Sequence, residues 1–307
     1  SRELMRMISP PLQTWQSSRS LRNAVGESHV AAAGALSLRQ TPPTRPSLRA
    51  LSDARPIAQD TKPVQPLRRR VAVYGGAFDP ITNAHLTAAS ELIHTGQVDE
   101  IWLVPCGKRP DKPKLKTDPL DRYIMCQIAV NTMLSPDLPV RVSDVECFEP
   151  EAMFTYDLLC KLREQSPELD FCFVIGTDWL QRGTNISTWE SRNPKWRPGD
   201  PPEQKFLVTG DRLLREFEFI VVTRPGYTVE NSTEDPTGLR QFGPRLSWLA
   251  MPHGMALVES NLSSTEVRAR IRRAGDLSNG GPRSLRSVEC LVPPGVLSYI
   301  QRQRLYL

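Results

Sequence analysis

The eleven residues Gly75-Gly76-Ala77-Phe78-Asp79-Pro80-Ile81-Thr82-Asn83-Ala84-His85 constrain the chain most, because they must turn a buried strand into a helix within one short loop. Before them, Arg70-Val71-Ala72-Val73-Tyr74 is short, apolar and β-branched, the pattern of a parallel strand covered on both faces. After them Leu86, Ala89 and Ile93, with Ala88 and Leu92, recur at helical spacing and predict a helix starting near Thr82. A helix N-terminus offers free N–H groups and partial positive charge, and glycines ahead of it let backbone approach an anion with no Cβ in the way. Thr82 and His85, three apart, share one face of the first turn. These features fit a phosphate cradle. They fit as well a capped turn in which Asp79-Pro80 only reverses the chain, Thr82 only caps and His85 is a lone polar residue.

Near the C-terminus, Asn261-Leu262-Ser263-Ser264-Thr265-Glu266-Val267-Arg268 places three hydroxyls ahead of a second helix. Alone, they read as caps. As an ordered pair, the two segments resemble the nucleotidyltransferase superfamily with its HxGH-type signature and ISSTxxR-type closing motif. The match is closest to nicotinamide or nicotinate mononucleotide adenylyltransferases, whose first motif reads G-[GS]-x-F-[DN]-P-x-[TH]-x-x-H, with Thr82 standing where many members carry histidine. Ile175-Gly176-Thr177-Asp178-Trp179-Leu180 resembles the family's G-[AT]-D-x-L segment, and Trp189 occupies the place of its pyridine-ring platform. Phe219 to Tyr227 looks like the late strand ending in Arg-x-Gly, here Arg224-Pro225-Gly226. Met153 to Leu159 is similar to the S-Y-T-x-D-T-L helix start, although Met153, Phe154 and Leu158 depart from it. The resemblance covers residues 68–304.

The family implies a Rossmann-like α/β fold, a doubly wound parallel sheet, and adenylyl transfer from ATP to nicotinamide or nicotinate mononucleotide. The products are NAD, or its deamido form, and pyrophosphate. Carried onto this chain, His85, Thr82 and Arg268 become the catalytic set, with Arg268 on the leaving β and γ phosphates. Gly75, Gly76, Ala77, Phe78, Ser263, Ser264, Thr265 and Arg224 would bind ATP. Lys108, Thr155, Gly176, Asp178, Leu180 and Trp189 would bind the mononucleotide, Asp178 accepting from hydroxyl or amide groups and Trp189 stacking on the ring. Lys108 leads a cationic loop with Arg109 and Lys112 after the second strand. Magnesium is expected on the phosphates, without a protein carboxylate cage. The plain alternatives are solvated cations at Lys108 and Arg268, the latter among Arg270, Arg272 and Arg273, and a core tryptophan at 189.

Three other functions compete. Phosphopantetheine adenylyltransferase, or a cytidylyl transferase acting on an alcohol phosphate, would keep the first motif but not the Asp178–Trp189 pair. A non-catalytic nucleotide-binding regulator has no need of His85, Ser264 and Arg268 together. A dinucleotide oxidoreductase would show G-x-G-x-x-G after a strand, which this chain lacks.

The net charge of +5 over 307 residues is uneven. Residues 1–70 hold 12 Lys and Arg against 4 Asp and Glu, leaving 27 against 30 in the remainder. The Ser-, Pro- and Arg-rich stretch 1–66 reads as an extension before a catalytic domain at 67–307. It fits an organelle transit peptide, a flexible tail or a packed lineage-specific addition. Only one aromatic, Trp15, stands among its arginines, so nucleic acid is not an expected partner. Cys106, Cys126, Cys147, Cys160, Cys172 and Cys290 form no C-x-x-C pair, which points to reduced thiols and an intracellular, cytoplasmic enzyme. No run of 18 apolar residues exists, so no membrane partner is expected. Self-association stays open.

Further strands are expected at 100–105, 140–142, 169–175, within 215–223, and at Ala256-Leu257-Val258. Helices are expected from Asp118-Pro119 to Leu134, over 155–165, 264–273 and 293–304. Residues 191–204 and 226–244 read as surface insertions. In such a sheet, ligands lie beyond the carboxyl ends of the strands.

Overall fold

The computed structural model describes residues 68–181, 183–252, 255–258, 260–278 and 283–306. The extension expected at 1–66 lies outside the described residues. Six strands make one all-parallel sheet: β1 (Arg69–Gly76), β2 (Glu100–Pro105), β3 (Val140–Val142), β4 (Leu169–Gly176), β7 (Glu218–Val222) and β8 (Leu246–Trp248). Their order is β3-β2-β1-β4-β7-β8, so the chain moves outward from β1 first one way and then the other. The reversal opens a crevice at the carboxyl ends of β1 and β4.

Period-two alternation sends successive strand residues to opposite faces. Ala72, Ile101, Leu103, Cys172, Val174 and Ile220 face one core, beneath α1 (Asn83–His94), α2 (Pro119–Met133), α5 (Ser264–Ser278) and α7 (Pro294–Gln303). Val71, Val73, Trp102, Val104, Phe171, Ile175, Phe219 and Val221 face the other, with α3 (Thr155–Gln165) and α4 (Gly210–Glu216). Helices on both faces make the sheet doubly wound, as the βα pattern predicts. α2 starts where expected: Asp118 accepts from Leu120 N–H at 2.8 Å and Pro119 takes the first position. The short α6 (Arg283–Arg286) precedes α7.

The sixth strand differs from the expectation. It is Leu246–Trp248, paired in parallel with β7 through Phe219↔Leu246 and Val221↔Trp248. Ala256-Leu257-Val258 is irregular, and Val258 is 61% exposed. An apolar triplet becomes a strand only where a sheet edge is free, and β8 already occupies the edge of β7. The stretch 226–244 is correspondingly part of the crossover from β7 to β8. The stretch 191–204 forms most of a hairpin: β5 (Glu190–Arg192) pairs antiparallel with β6 (Phe206–Val208), outside the main sheet. α5 runs to Ser278, beyond the expected end at 273.

Leu249→Ala, at a buried position just after β8, should cost about 2–4 kcal/mol in urea denaturation, whereas exposed Val258→Ala should stay within about 0.5 kcal/mol. Equal losses would contradict this assignment of the edge.

Candidate active site

Strand ends and helix starts meet in one cavity of about 1430 Å³, beyond the carboxyl ends of β1, β2, β4 and β7. Between β1 and α1 the chain makes the turn 77–82. At Gly75 and Gly76 the room a Cβ needs is taken by the rings of Phe173 and Phe78, at 3.2 and 3.0 Å, so these glycines serve ring packing as well as access to the cavity. Phe78 adopts φ +45°, a strained angle for a bulky residue. Its ring meets His85 edge-on at 5.1 Å and Tyr74 at 5.6 Å.

Thr82 N–H donates to His85 Nδ1 at 3.0 Å, and Thr82 Oγ1 lies 2.9 Å from the same nitrogen. The histidine thereby fills the place that glutamate takes in a capping box. An accepting Nδ1 leaves the ring proton on Nε2. Burial first, and the charge of Arg224 second, push the His85 pKa down to about 4, so the ring is neutral at ordinary pH and a lining N–H donor. Thr82 itself is fully buried and does not line the cavity. The structure sets its hydroxyl, expected to meet phosphate, against His85 Nδ1, where it orients the ring.

Remote elements hold the same turn. Arg268 Nη1 donates to Asp79 O and lies 3.6 Å from the Asp79 carboxylate, while Nη2 donates to Thr265 Oγ1 at 3.3 Å. Ser264 Oγ donates to Pro80 O at 2.8 Å. Tyr306 O–H donates to Asp79 Oδ1. Arg122, 1% exposed, donates to Ala77 O at 2.9 Å and to Gly107 O at 3.0 Å, tying the turn to the loop after β2. Ala77, Phe78, Ser263, Ser264, Thr265 and Arg268 all line the cavity. Arg122 and Tyr306 were not foreseen. A single arginine in a first helical turn reads as solvated, and Tyr306 belongs to no motif.

On the other side, Asp178 Oδ2 accepts from Arg224 Nη1 at 2.9 Å. Oδ1 is buried with no partner among the described residues, so this cavity-lining carboxylate keeps one acceptor uncommitted. Arg224 lines the cavity with part of its guanidinium engaged by Asp178. Trp189 and Trp179 both line it, edge to face at 5.3 Å. The Trp189 carbonyl accepts from Thr209 and Gly210 N–H groups, each at 2.9 Å, and a Cβ on Gly210 would overlap the Ile186 carbonyl. Trp179 was quoted within the motif without a role; its adjacency to Asp178 was the available signal. Thr155, at the start of α3, Gly176 and exposed Lys108 also line the cavity. Lys108 has no ion pair among the described residues, whereas Arg109 grips Asp111 through two contacts of 2.8 and 2.6 Å. Leu180 is 2% exposed and packs in the core beneath α3 and α4, outside the lining. Its apolar side chain turns toward that core and away from the ligand space expected for it.

The Cytidylyltransferase-like family profile matches residues 73–270. A probable nicotinate-nucleotide adenylyltransferase of Corynebacterium kroppenstedtii is 33% identical over 239 residues, 78% of this chain and 91% of the relative. One from Tropheryma whipplei is 34% identical over 232 residues, 76% of this chain and 97% of its own. The chain belongs to the nicotinate-nucleotide adenylyltransferase family. The nicotinic acid mononucleotide adenylyltransferase of Plasmodium falciparum, solved with NaAD, shares this family fold: TM-score 0.55, 24% identity, 78% of this chain and 98% of that one. Among the described residues of this family member, no helix is long and apolar enough to cross a membrane, and the six cysteines are unpaired.

Glu146, buried under the loop after β2, accepts from Gly107 N–H at 3.1 Å, and burial pushes its pKa up to about 7. Folded, it binds more protons than unfolded between the usual 4.5 and 7, so its contribution to stability falls as pH rises there. His85, held near 4 against 6.5, binds fewer protons folded, so its contribution rises with pH over that interval. Glu146→Gln should remove the first slope and leave the second. From about pH 5 to about pH 7 its stability, read by urea denaturation, should gain up to about 3 kcal/mol relative to the unsubstituted protein. Parallel profiles would show that Glu146 titrates normally.

Proposed function

We propose that this chain transfers the adenylyl group of ATP to nicotinate mononucleotide, forming the deamido dinucleotide of NAD biosynthesis and pyrophosphate. The observation that carries the reading is the joining, in one cavity, of a triphosphate-type cradle with an acceptor side built of Trp189 and Asp178. The first is a neutral His85 N–H donor, Arg268 and two helix starts. Family membership favours the acid acceptor. Nicotinamide mononucleotide is the second candidate acceptor, since an indole face stacks on either pyridine ring.

In this reaction a 5′-phosphate oxygen of the mononucleotide attacks the α-phosphorus in line. A new P–O bond forms, the bond to the α,β-bridging oxygen breaks, and pyrophosphate leaves with the electron pair. No protein nucleophile is needed; positioning and charge neutralisation supply the rate. His85 Nε2–H donates to an α-phosphate oxygen as charge builds, Arg268 stabilises the departing β and γ groups, and the starts of α1 and α5 add N–H donors. Lys108 meets the incoming phosphate. Asp178 Oδ1 accepts a ribose hydroxyl or pyridine-side donor, and Trp189 stacks on the ring. Magnesium on the phosphates would neutralise charge there.

Purified protein with ATP, magnesium and nicotinate mononucleotide should form the dinucleotide, and no product with either acceptor would refute the proposal. His85→Ala should lower kcat about 10²-fold or more in a protein that still unfolds cooperatively. Unchanged turnover would make His85 structural. Trp189→Ala should raise KM for the mononucleotide and spare that for ATP; an effect confined to ATP would refute its placement.

A further inference from the structure

Glu91 lies two turns along α1 from the phosphate-type turn, 8% exposed, and it lines the cavity. Its Oε2 is buried with no hydrogen-bond partner among the described residues. A buried carboxylate without a donor is costly, and burying a polar group uncompensated is rare unless a ligand completes it. Ala84, Ala88 and Glu91 follow one another at i, i+4 and i+7, so one face of α1 presents two small residues and then an acceptor.

Segments on either side of residues 250–264 are tied to the two ends of the helix by hydrogen bonds. Gln97, just beyond α1, donates to Trp248 O at 3.1 Å and accepts from Ala250 N–H at 3.2 Å. At the other end Ser264 donates to Pro80 O. Leu249, Leu257 and Leu262 line the same cavity as Ala84, Ala88 and Glu91. Small residues on one side and aliphatic ones on the other make a slot suited to a flat ring. From Ala84 to Glu91 the helix advances about 10 Å, roughly the reach of a nucleoside from its α-phosphate to the far edge of its base.

We propose that Glu91 is the residue that selects the base of the nucleotide donor, accepting a hydrogen bond from the exocyclic amino group of adenine. This rests on the adenylyl-transfer reading above. A carboxylate accepts from an amine and repels a carbonyl oxygen at the same position. The site thus favours ATP over ITP, which differs in carrying oxygen where adenine carries nitrogen. Leaving Glu91 unpaired is what makes the wrong base unfavourable, because a polar group built for a partner stays buried without one.

Calorimetric binding of ATP and of ITP, without the mononucleotide, tests this independently of turnover. The unsubstituted protein should bind ATP at least about ten-fold more tightly than ITP, and parity would overturn the proposal without any variant. Glu91→Gln, whose amide can donate to the carbonyl of ITP, should shrink the ATP/ITP ratio at least about ten-fold. A variant that weakens both nucleotides equally, keeping the ratio, would make Glu91 structural and overturn it. Ratio changes in a protein that forms no dinucleotide would refute the transfer reaction and leave Glu91 as base selector.

Discussion

Three backbone carbonyls of one turn, at Ala77, Asp79 and Pro80, accept hydrogen bonds from Arg122, Arg268 and Ser264, and Tyr306 adds a fourth bond on the Asp79 side chain. The donors come from α2, from α5 and from the chain beyond α7. A turn that must expose its N–H groups to an anion leaves its carbonyls pointing away, and buried carbonyls need donors. Together the donors tie α2, α5 and the chain beyond α7 to the end of β1, so the geometry of the cradle and the packing of one face of the sheet are the same constraint. Phe78, at positive φ, is held in place by that packing and in turn holds the His85 ring.

Electrostatics follow from this arrangement. His85 is neutral because burial and Arg224 disfavour its cation and because its Nδ1 already accepts from Thr82 N–H. A neutral imidazole with a fixed tautomer is a donor of constant direction across ordinary pH. In the opposite half of the cavity Arg224 pairs with Asp178 and Arg109 with Asp111, while Lys108 has no ion pair among the described residues. Acceptor atoms of Asp178 and Glu91 that have no hydrogen-bond partner among the described residues lie within the same lining.

Much of the architecture was readable before any coordinates. Alternating βα units, the Asp118-Pro119 helix start and the strand running into Gly75-Gly76 carry strong local signals, and each appears where expected. The misplaced sixth strand shows the limit: Ala256-Leu257-Val258 and Leu246-Ser247-Trp248 are both short and apolar, and only the partner at β7 distinguishes them. The placement of the Leu180 side chain in the core is hidden for a related reason, since motif membership does not say to which side of a turn a side chain points.

The kind of chemistry is a local property of this chain. A glycine pair entering a helix, a histidine in its first turn, and hydroxyls with an arginine at a second helix start can be read from spacing, because hydrogen bonds between near neighbours define them. Which of those groups face a ligand is a long-range property. Thr82 turns toward His85, Arg224 joins Asp178, Arg122 and Tyr306 brace the turn from 45 and 227 residues away, and Glu91 Oε2 has no hydrogen-bond partner among the described residues. Pairings across that separation depend on how helices pack on a sheet, and no short window of sequence contains them.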